Sequence, residues 1–192
     1  YKSMADLPDL IDYNMDSRTY RYFTKPVLYP FGHGLSYSNF EYSKLTAPTQ
    51  SSTSDDVKVS VTVKNSGIVD GEEVVQCYIN RELPPADPKN IPSADKMTDE
   101  QATQLATPRK TLVGFARVPL KAGESKTVAF TITPRQLSLV IGKDNKREVR
   151  PEILQLQIGG SSVIGKGTLT QPLSIEGAPK APDYRFVAPA VK

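Results

Sequence analysis

Three pairs of adjacent acids, Asp55-Asp56, Glu72-Glu73 and Asp99-Glu100, are the residues best suited by type to general acid–base work. Two carboxylates that act on one bond must converge on it. Successive side chains of a strand point to opposite faces, so Glu72 and Glu73 cannot meet at one atom if both lie in a strand. All three pairs read as exposed or turn acids. His33 is the only histidine and Cys77 the only cysteine, so sites built from nitrogen and sulfur ligands are nearly excluded. A Ser-His-Asp arrangement around His33 would need its serine and aspartate chosen at will. Gly32-x-Gly34 has the start of a nucleotide loop, but Tyr37 stands where the third glycine belongs and no strand–helix context follows. Cys77 lies among apolar residues and reads as a buried, inert thiol. No catalytic, cofactor-binding or metal-binding set is expected, and no cofactor.

The most information-rich stretch is Tyr29-Pro30-Phe31-Gly32-His33-Gly34-Leu35-Ser36-Tyr37. Pro30 fixes its own backbone angle and biases Tyr29 toward an extended conformation. Gly32 and Gly34 permit a sharp turn or a close backbone approach. Between these two glycines His33 reads as a packing or hydrogen-bonding residue. Phe31, Leu35 and Tyr37 supply apolar mass around the turn. The stretch therefore reads as a rigid packed junction between two parts of a protein. Phe31 and Leu35 are expected to be buried against strand residues, whereas Tyr20 and Tyr22 are expected to face outward.

Bulk properties narrow the partners. The 24 basic and 21 acidic residues are scattered, with no basic block, which argues against nucleic acid or an anionic membrane. No stretch is long and apolar enough to span a bilayer. The lone cysteine rules out an internal disulfide, and no Asn-x-Ser/Thr sequon occurs. An opening on Tyr1 rather than Met fits a fragment or a processed chain.

The elements that must position these residues are mostly strands. Ten of the fifteen aromatics fall within residues 1–42, so this extension should be packed against something, mostly as extended chain with a turn-rich start at Met4–Asp9. A first strand is expected over Phe40–Leu45, closed off by the polar run Thr49–Asp56. Val57, Val59, Val61 and Val63 alternate with polar residues and make the clearest half-buried strand. Asn65-Ser-Gly67 and Asp70-Gly71 signal turns, and Val75, Cys77 and Ile79 set the inward parity of the next strand.

Residues 81–109 break the rhythm. Pro84, Pro85, Pro88 and Pro92 exclude a central strand, while Thr98 and Gln101 have capping-box spacing for a short helix over Asp99–Ala106. Strands resume at Lys110–Pro119, with a bulge expected near Gly114. The Lys121–Glu124 turn leads into Lys126–Ile132, whose inward residues are Val128, Phe130 and Ile132. Phe115 and Phe130 both read as core. Leu137, Leu139 and Ile141 read as another short strand, with a charged hairpin tip at Lys143–Lys146. Leu154, Leu156 and Ile158 form one more strand. Leu169, Leu173 and Ile175 close the series, with Pro172 marking an edge, and an extended surface tail follows Gly177. Two packed antiparallel sheets follow from this pattern, with the four valines facing Leu154, Leu156 and Ile158.

The junction stretch, followed by Asn39-Phe40-Glu41-Tyr42, resembles the start of the C-terminal fibronectin type III-like domain of family 3 glycoside hydrolases. Asn65-Ser-Gly67, Gly71–Tyr78, Leu112–Phe115, Leu120–Glu124 and Ile158–Ser162 follow in the order of that family. Upstream, Asp12–Met15 and Arg18–Phe23 resemble the β-xylosidase-like branch. The resemblance implies an all-β, immunoglobulin/fibronectin III-like sandwich over 39–176, carrying 81–109 as a surface insertion. Residues 1–38 would be an extended aromatic-rich segment leading in from an α/β domain not contained in this sequence, and 177–192 an extended tail. The parent would be a retaining exo-β-glycosidase acting on terminal β-linked xylose or glucose, secreted or periplasmic. Its carboxylate pair, roughly 5 Å apart in such enzymes, belongs to other domains of the family and neither catalytic motif is matched here. This chain would then support the catalytic domains, as one chain with them or after cleavage. The alternatives are an autonomous carbohydrate-binding module, with an oligosaccharide as partner, and an Ig-like protein-interaction module.

Overall fold

The computed structural model describes residues 18–83, 96–165 and 167–192. The Met4–Asp9 start, the Asp12–Met15 run, and Pro84, Pro85, Pro88 and Pro92 lie outside the described residues. In chain order the first elements are α1 (Thr19–Tyr22), β1 (Phe40–Thr46), β2 (Gln50–Ser52), β3 (Val57–Asn65), β4 (Gly71–Asn80) and α2 (Asp99–Ala106). Then come β5 (Lys110–Leu120), β6 (Ser125–Ile132), α3 (Pro134–Leu137), β7 (Leu139–Ile141) and β8 (Lys146–Glu148). The last are β9 (Glu152–Gly159), β10 (Leu169–Glu176) and β11 (Ala190–Val191).

These strands build the expected all-β sandwich. One sheet has the order β1-β3-β6-β11, the other β2-β10-β9-β4-β5, and β7-β8 forms a separate hairpin. Neighbours are antiparallel except β2, which lies parallel on β10. Val57, Val59, Val61 and Val63 are fully or almost fully buried, as are Leu154, Leu156 and Ile158 in the facing sheet. Each such side chain contributes on the order of 1.5–3 kcal/mol before chain entropy is set against it.

The irregularities have local causes. Cys77 pairs with Gly114 but Tyr78 with Leu112, so Val113 is the extra residue of a bulge in β5. Gly114 also makes room, because a Cβ there would stand 2.6 Å from Cδ1 of Phe130, a core side chain. The bulge shifts the alternation and leaves Phe115 62% exposed beside Gln76 rather than in the core. Thr98 and Gln101 close the capping box of α2 reciprocally. Leu137 is buried at the end of α3 rather than in a strand, since Pro134 at the first helical turn and a Thr133–Gln136 capping box favour a helical turn there. The polar run 49–56 holds β2, whose backbone pairing does not depend on apolar periodicity. That strand covers β10 only from Ser174 to Glu176, so Pro172 sits where β10 is still an edge. The tail after Gly177 adds β11 to the edge of β6 and bridges Lys180 to Val149.

Candidate docking face

Strand β4 is buried on both sides at its centre. Val75, Cys77 and Ile79 face the core, and Gln76 and Tyr78 on the opposite face are also buried. The cover on that outer face is the segment 18–37. Tyr20 meets Tyr78 edge-on at 5.9 Å and stacks on Phe31 at 4.8 Å between ring centroids. Main-chain bonds fix the segment: Arg109 N–H donates to the carbonyl of Arg21 at 2.9 Å, and Ser162 N–H to that of Phe31 at 2.8 Å. The Tyr22 hydroxyl donates to the carbonyl of Ala106. Where extended chain was expected, Thr19–Tyr22 makes one helical turn.

Gly32 is the point of closest approach. It has φ +85°, and a Cβ would stand 2.5 Å from Nε2 of Gln76 and 2.9 Å from the carbonyl of Gly160. Beneath it lies a polar network. Gln76 donates to the Gly160 carbonyl at 2.6 Å and accepts from the Tyr78 hydroxyl. The Lys110 amine donates to Oε1 of buried Gln157 at 2.6 Å and to the carbonyl of Ser162, and it stands 5.4 Å from the Tyr78 ring centroid. Burial lowers the Lys110 pKa to about 8. Burial also raises the Tyr78 hydroxyl, with Tyr20 adding to the shift.

The junction residues point the other way from expectation. Phe31 is 51% exposed, Leu35 96% and Tyr37 wholly exposed, whereas Tyr20 and Tyr22 are partly buried. The reason is the surface beneath. The inner faces of both sheets are filled by their own strands, and the outer face offers Gln76, Gln157 and Lys110 with Tyr78 among them. Tyr20 takes that aromatic partner, and Phe31 stacks on Tyr20 with its remaining surface in water. Leu28, Tyr29, Phe31, Leu35 and Tyr37, together with Val163 and Ile164 of the β9–β10 connection, are therefore exposed apolar side chains. A cavity of about 720 Å³ opens between Tyr20, Phe23, Tyr29, Phe31, Lys110 and Ile164. Pro30 and His33 close a turn, His33 N–H donating to the Pro30 carbonyl at 3.0 Å, and the exposed imidazole packs 4.9 Å from the Tyr29 ring. Gly34 has open space where a side chain would stand.

The acidic pairs do not converge. Glu72 turns outward to Arg117, while Glu73 turns inward and accepts from the Tyr42 hydroxyl at 2.5 Å, bridging the two sheets. Burial raises the Glu73 carboxyl above its ordinary range against the opposing effect of that hydrogen bond. Asp56 pairs with Arg185 at 2.7 Å, and Asp99 accepts from the Lys143 amide. Cys77 is buried, which pushes its thiol up to about 12. Among the described residues no group of three or more His, Cys, Asp or Glu could hold a metal ion.

The network of Tyr78, Gln76, Lys110 and Gln157 was not predicted from the sequence. Its signal is present in β4 and β9, where outward positions carry Gln76, Tyr78, Gln155 and Gln157 rather than charges. Amides and a phenol on an outward face mark a surface that a further layer covers.

Residues 97–162 match the profile of the fibronectin type III-like domain. A putative β-xylosidase of Formosa agariphila is 39% identical over 145 residues, covering 75% of this chain and 16% of that protein. A xylan 1,4-β-xylosidase of Xylanibacter ruminicola is 33% identical over 165 residues, 85% of this chain and 16% of its own length. The chain thus spans about one-sixth of these relatives. The crystal structure of a family 3 β-glucosidase from Bifidobacterium adolescentis superposes with a TM-score of 0.60 at 27% identity, covering 81% of this chain and 20% of that one. Profile, relatives and fold agree, and the chain belongs to the C-terminal fibronectin type III-like domains of family 3 glycoside hydrolases.

Proposed function

We propose that this chain is the accessory part of a retaining exo-β-glycosidase that removes terminal β-linked xylose or glucose from oligosaccharides, in a secreted or periplasmic setting. Its role is to support and stabilise the catalytic domains, which dock on the face made by residues 18–37. The carrying observation is the exposed set Leu28, Tyr29, Phe31, Leu35 and Tyr37 with Val163 and Ile164. Apolar patches of this kind mark interaction surfaces, and the segment that bears them is itself anchored to the sandwich by backbone hydrogen bonds. The chemistry belongs to the parent, because the adjacent acids of this chain are spent on Arg117, Tyr42 and Arg185 or sit at turns and helix starts.

The test has two arms. The purified chain should not hydrolyse nitrophenyl β-xyloside or β-glucoside; turnover would refute the accessory role. In the full-length parent, Leu35→Asp should lower the thermal midpoint while sparing the Michaelis constant for small substrates. A second reading, autonomous glycan binding, draws on the exposed rings of Tyr29 and Tyr37. Saturable binding of xylo-oligosaccharides by the isolated chain, lost in Tyr37→Ala, would establish it in place of docking.

A further inference from the structure

At the end of the sandwich remote from Glu73, four arginines from four separate stretches line one small cavity of about 240 Å³. Arg21 comes from α1, Arg81 from the end of β4, Arg135 from α3 and Arg147 from β8. Arg81 is already satisfied: it holds Glu152 with two nitrogens, at 2.9 and 3.0 Å, and donates to the Leu137 carbonyl. The other three have no carboxylate partner among the described residues. Arg135 lies 4.7 Å over the Tyr184 ring, and Arg147 donates to the Ser138 hydroxyl at 3.3 Å.

Two further observations concern the walls of the same space. Nε of Arg21 and the hydroxyl of Thr111, which also lines the cavity, are buried without any hydrogen-bond partner. Buried donors without partners are costly, and these two sit in the wall of a cavity shared by three guanidiniums that lack a carboxylate. The arginines also disfavour one another: burial, then Arg135 and Arg21, hold the Arg147 guanidinium below its ordinary range. Guanidinium forks match planar and tetrahedral oxygen anions.

We infer that this cavity is a binding site for a small multi-oxygen anion, either phosphate or sulfate, or the carboxylate of an acidic sugar. Arg21, Arg135 and Arg147 supply the charge and the N–H donors. The bound anion removes the mutual repulsion of the arginines. Arg21 belongs to the segment 18–37, but none of the exposed apolar residues of the docking face lines this cavity.

The test is calorimetric titration and thermal denaturation of the 192-residue chain with sodium phosphate, sodium sulfate and sodium glucuronate, each against sodium chloride at equal ionic strength. At least one of the three should bind saturably and raise the thermal midpoint. A response to phosphate and sulfate identifies an inorganic anion, and a response confined to glucuronate identifies an acidic sugar. Arg147→Gln should weaken binding about tenfold, the loss expected for one charge-assisted contact. Without anion it should leave the midpoint unchanged or raised, since it relieves like-charge crowding. Arg147→Lys, which keeps the charge but not the fork, should bind with intermediate strength, and Arg150→Gln, outside the cavity, should bind as the parent chain does. No response beyond chloride, or an equal response in Arg147→Gln and Arg135→Gln, overturns the site.

Discussion

The interior of the sandwich and the segment lying across its outer face use the same residue types to opposite ends. Inside, Val57–Val63 and Leu154–Ile158 close on one another, and essentially no apolar surface of their inward side chains is left for a partner. Outside, the segment 18–37 spends its backbone on anchoring and its aromatics on solvent: it is held at Arg21, Phe31 and Gly32 while Leu35 and Tyr37 stay exposed. A core explains its own composition. A surface rich in aromatics that are pinned yet unburied does not, and the proposed docking accounts for it.

Breaking the interior should produce the largest losses. Phe130→Ala, which empties a core position, should cost about 3–5 kcal/mol by urea denaturation. Arg81→Ala belongs in the same range, about 3–5 kcal/mol, because it strands Glu152 without its bidentate partner; the two side chains are only 2% and 19% exposed. At the boundary between the two regions, Gly32→Ala meets both a left-handed backbone and the Gln76 amide. It should cost more than about 1 kcal/mol and increase hydrogen exchange at Ser162, whose amide is bound by Phe31.

Lys110 sharpens the same boundary through pH. Its folded pKa, about 8, lies below the ordinary 10.5, so the folded state binds that proton less tightly than the unfolded state. Between these values unfolding takes up protons, and the contribution of Lys110 to stability must rise with pH across the window. Lys110→Met should remove that rise, so the urea midpoint of the variant should drop progressively relative to that of the parent chain as pH goes from 8 to 10.5, while the buried Cys77 thiol acts alike in both. The smallest effects belong to the exposed residues. Leu35→Ala and Tyr37→Ala should each change the stability of this chain by less than about 0.5 kcal/mol, because neither buries surface here.

The sandwich was readable because period-two alternation reports burial directly: β3, β6 and β9 each carry their inward residues where alternation puts them. So were the α2 capping box and the β5 bulge, both set by local chemistry. Phe115 was misplaced because the bulge that Gly114 announced also shifts the parity beyond it. The docking face was half readable. Aromatic density and paired glycines located the junction, but which rings turn inward depends on what the outer face of β4 and β9 offers, and that face is assembled from strands distant in sequence. The arginine cavity had no sequence signal, since its four arginines share neither a motif nor a spacing.

The central claim, that residues 18–37 present a face for the catalytic domains, is tested most directly by hydroxyl-radical footprinting of Leu35 and Tyr37 in this chain and in the full-length parent. Docking requires high reactivity at both positions in the isolated chain and, in the parent, a fall toward that of the buried core residue Phe130. Equal reactivity in the two proteins would contradict it.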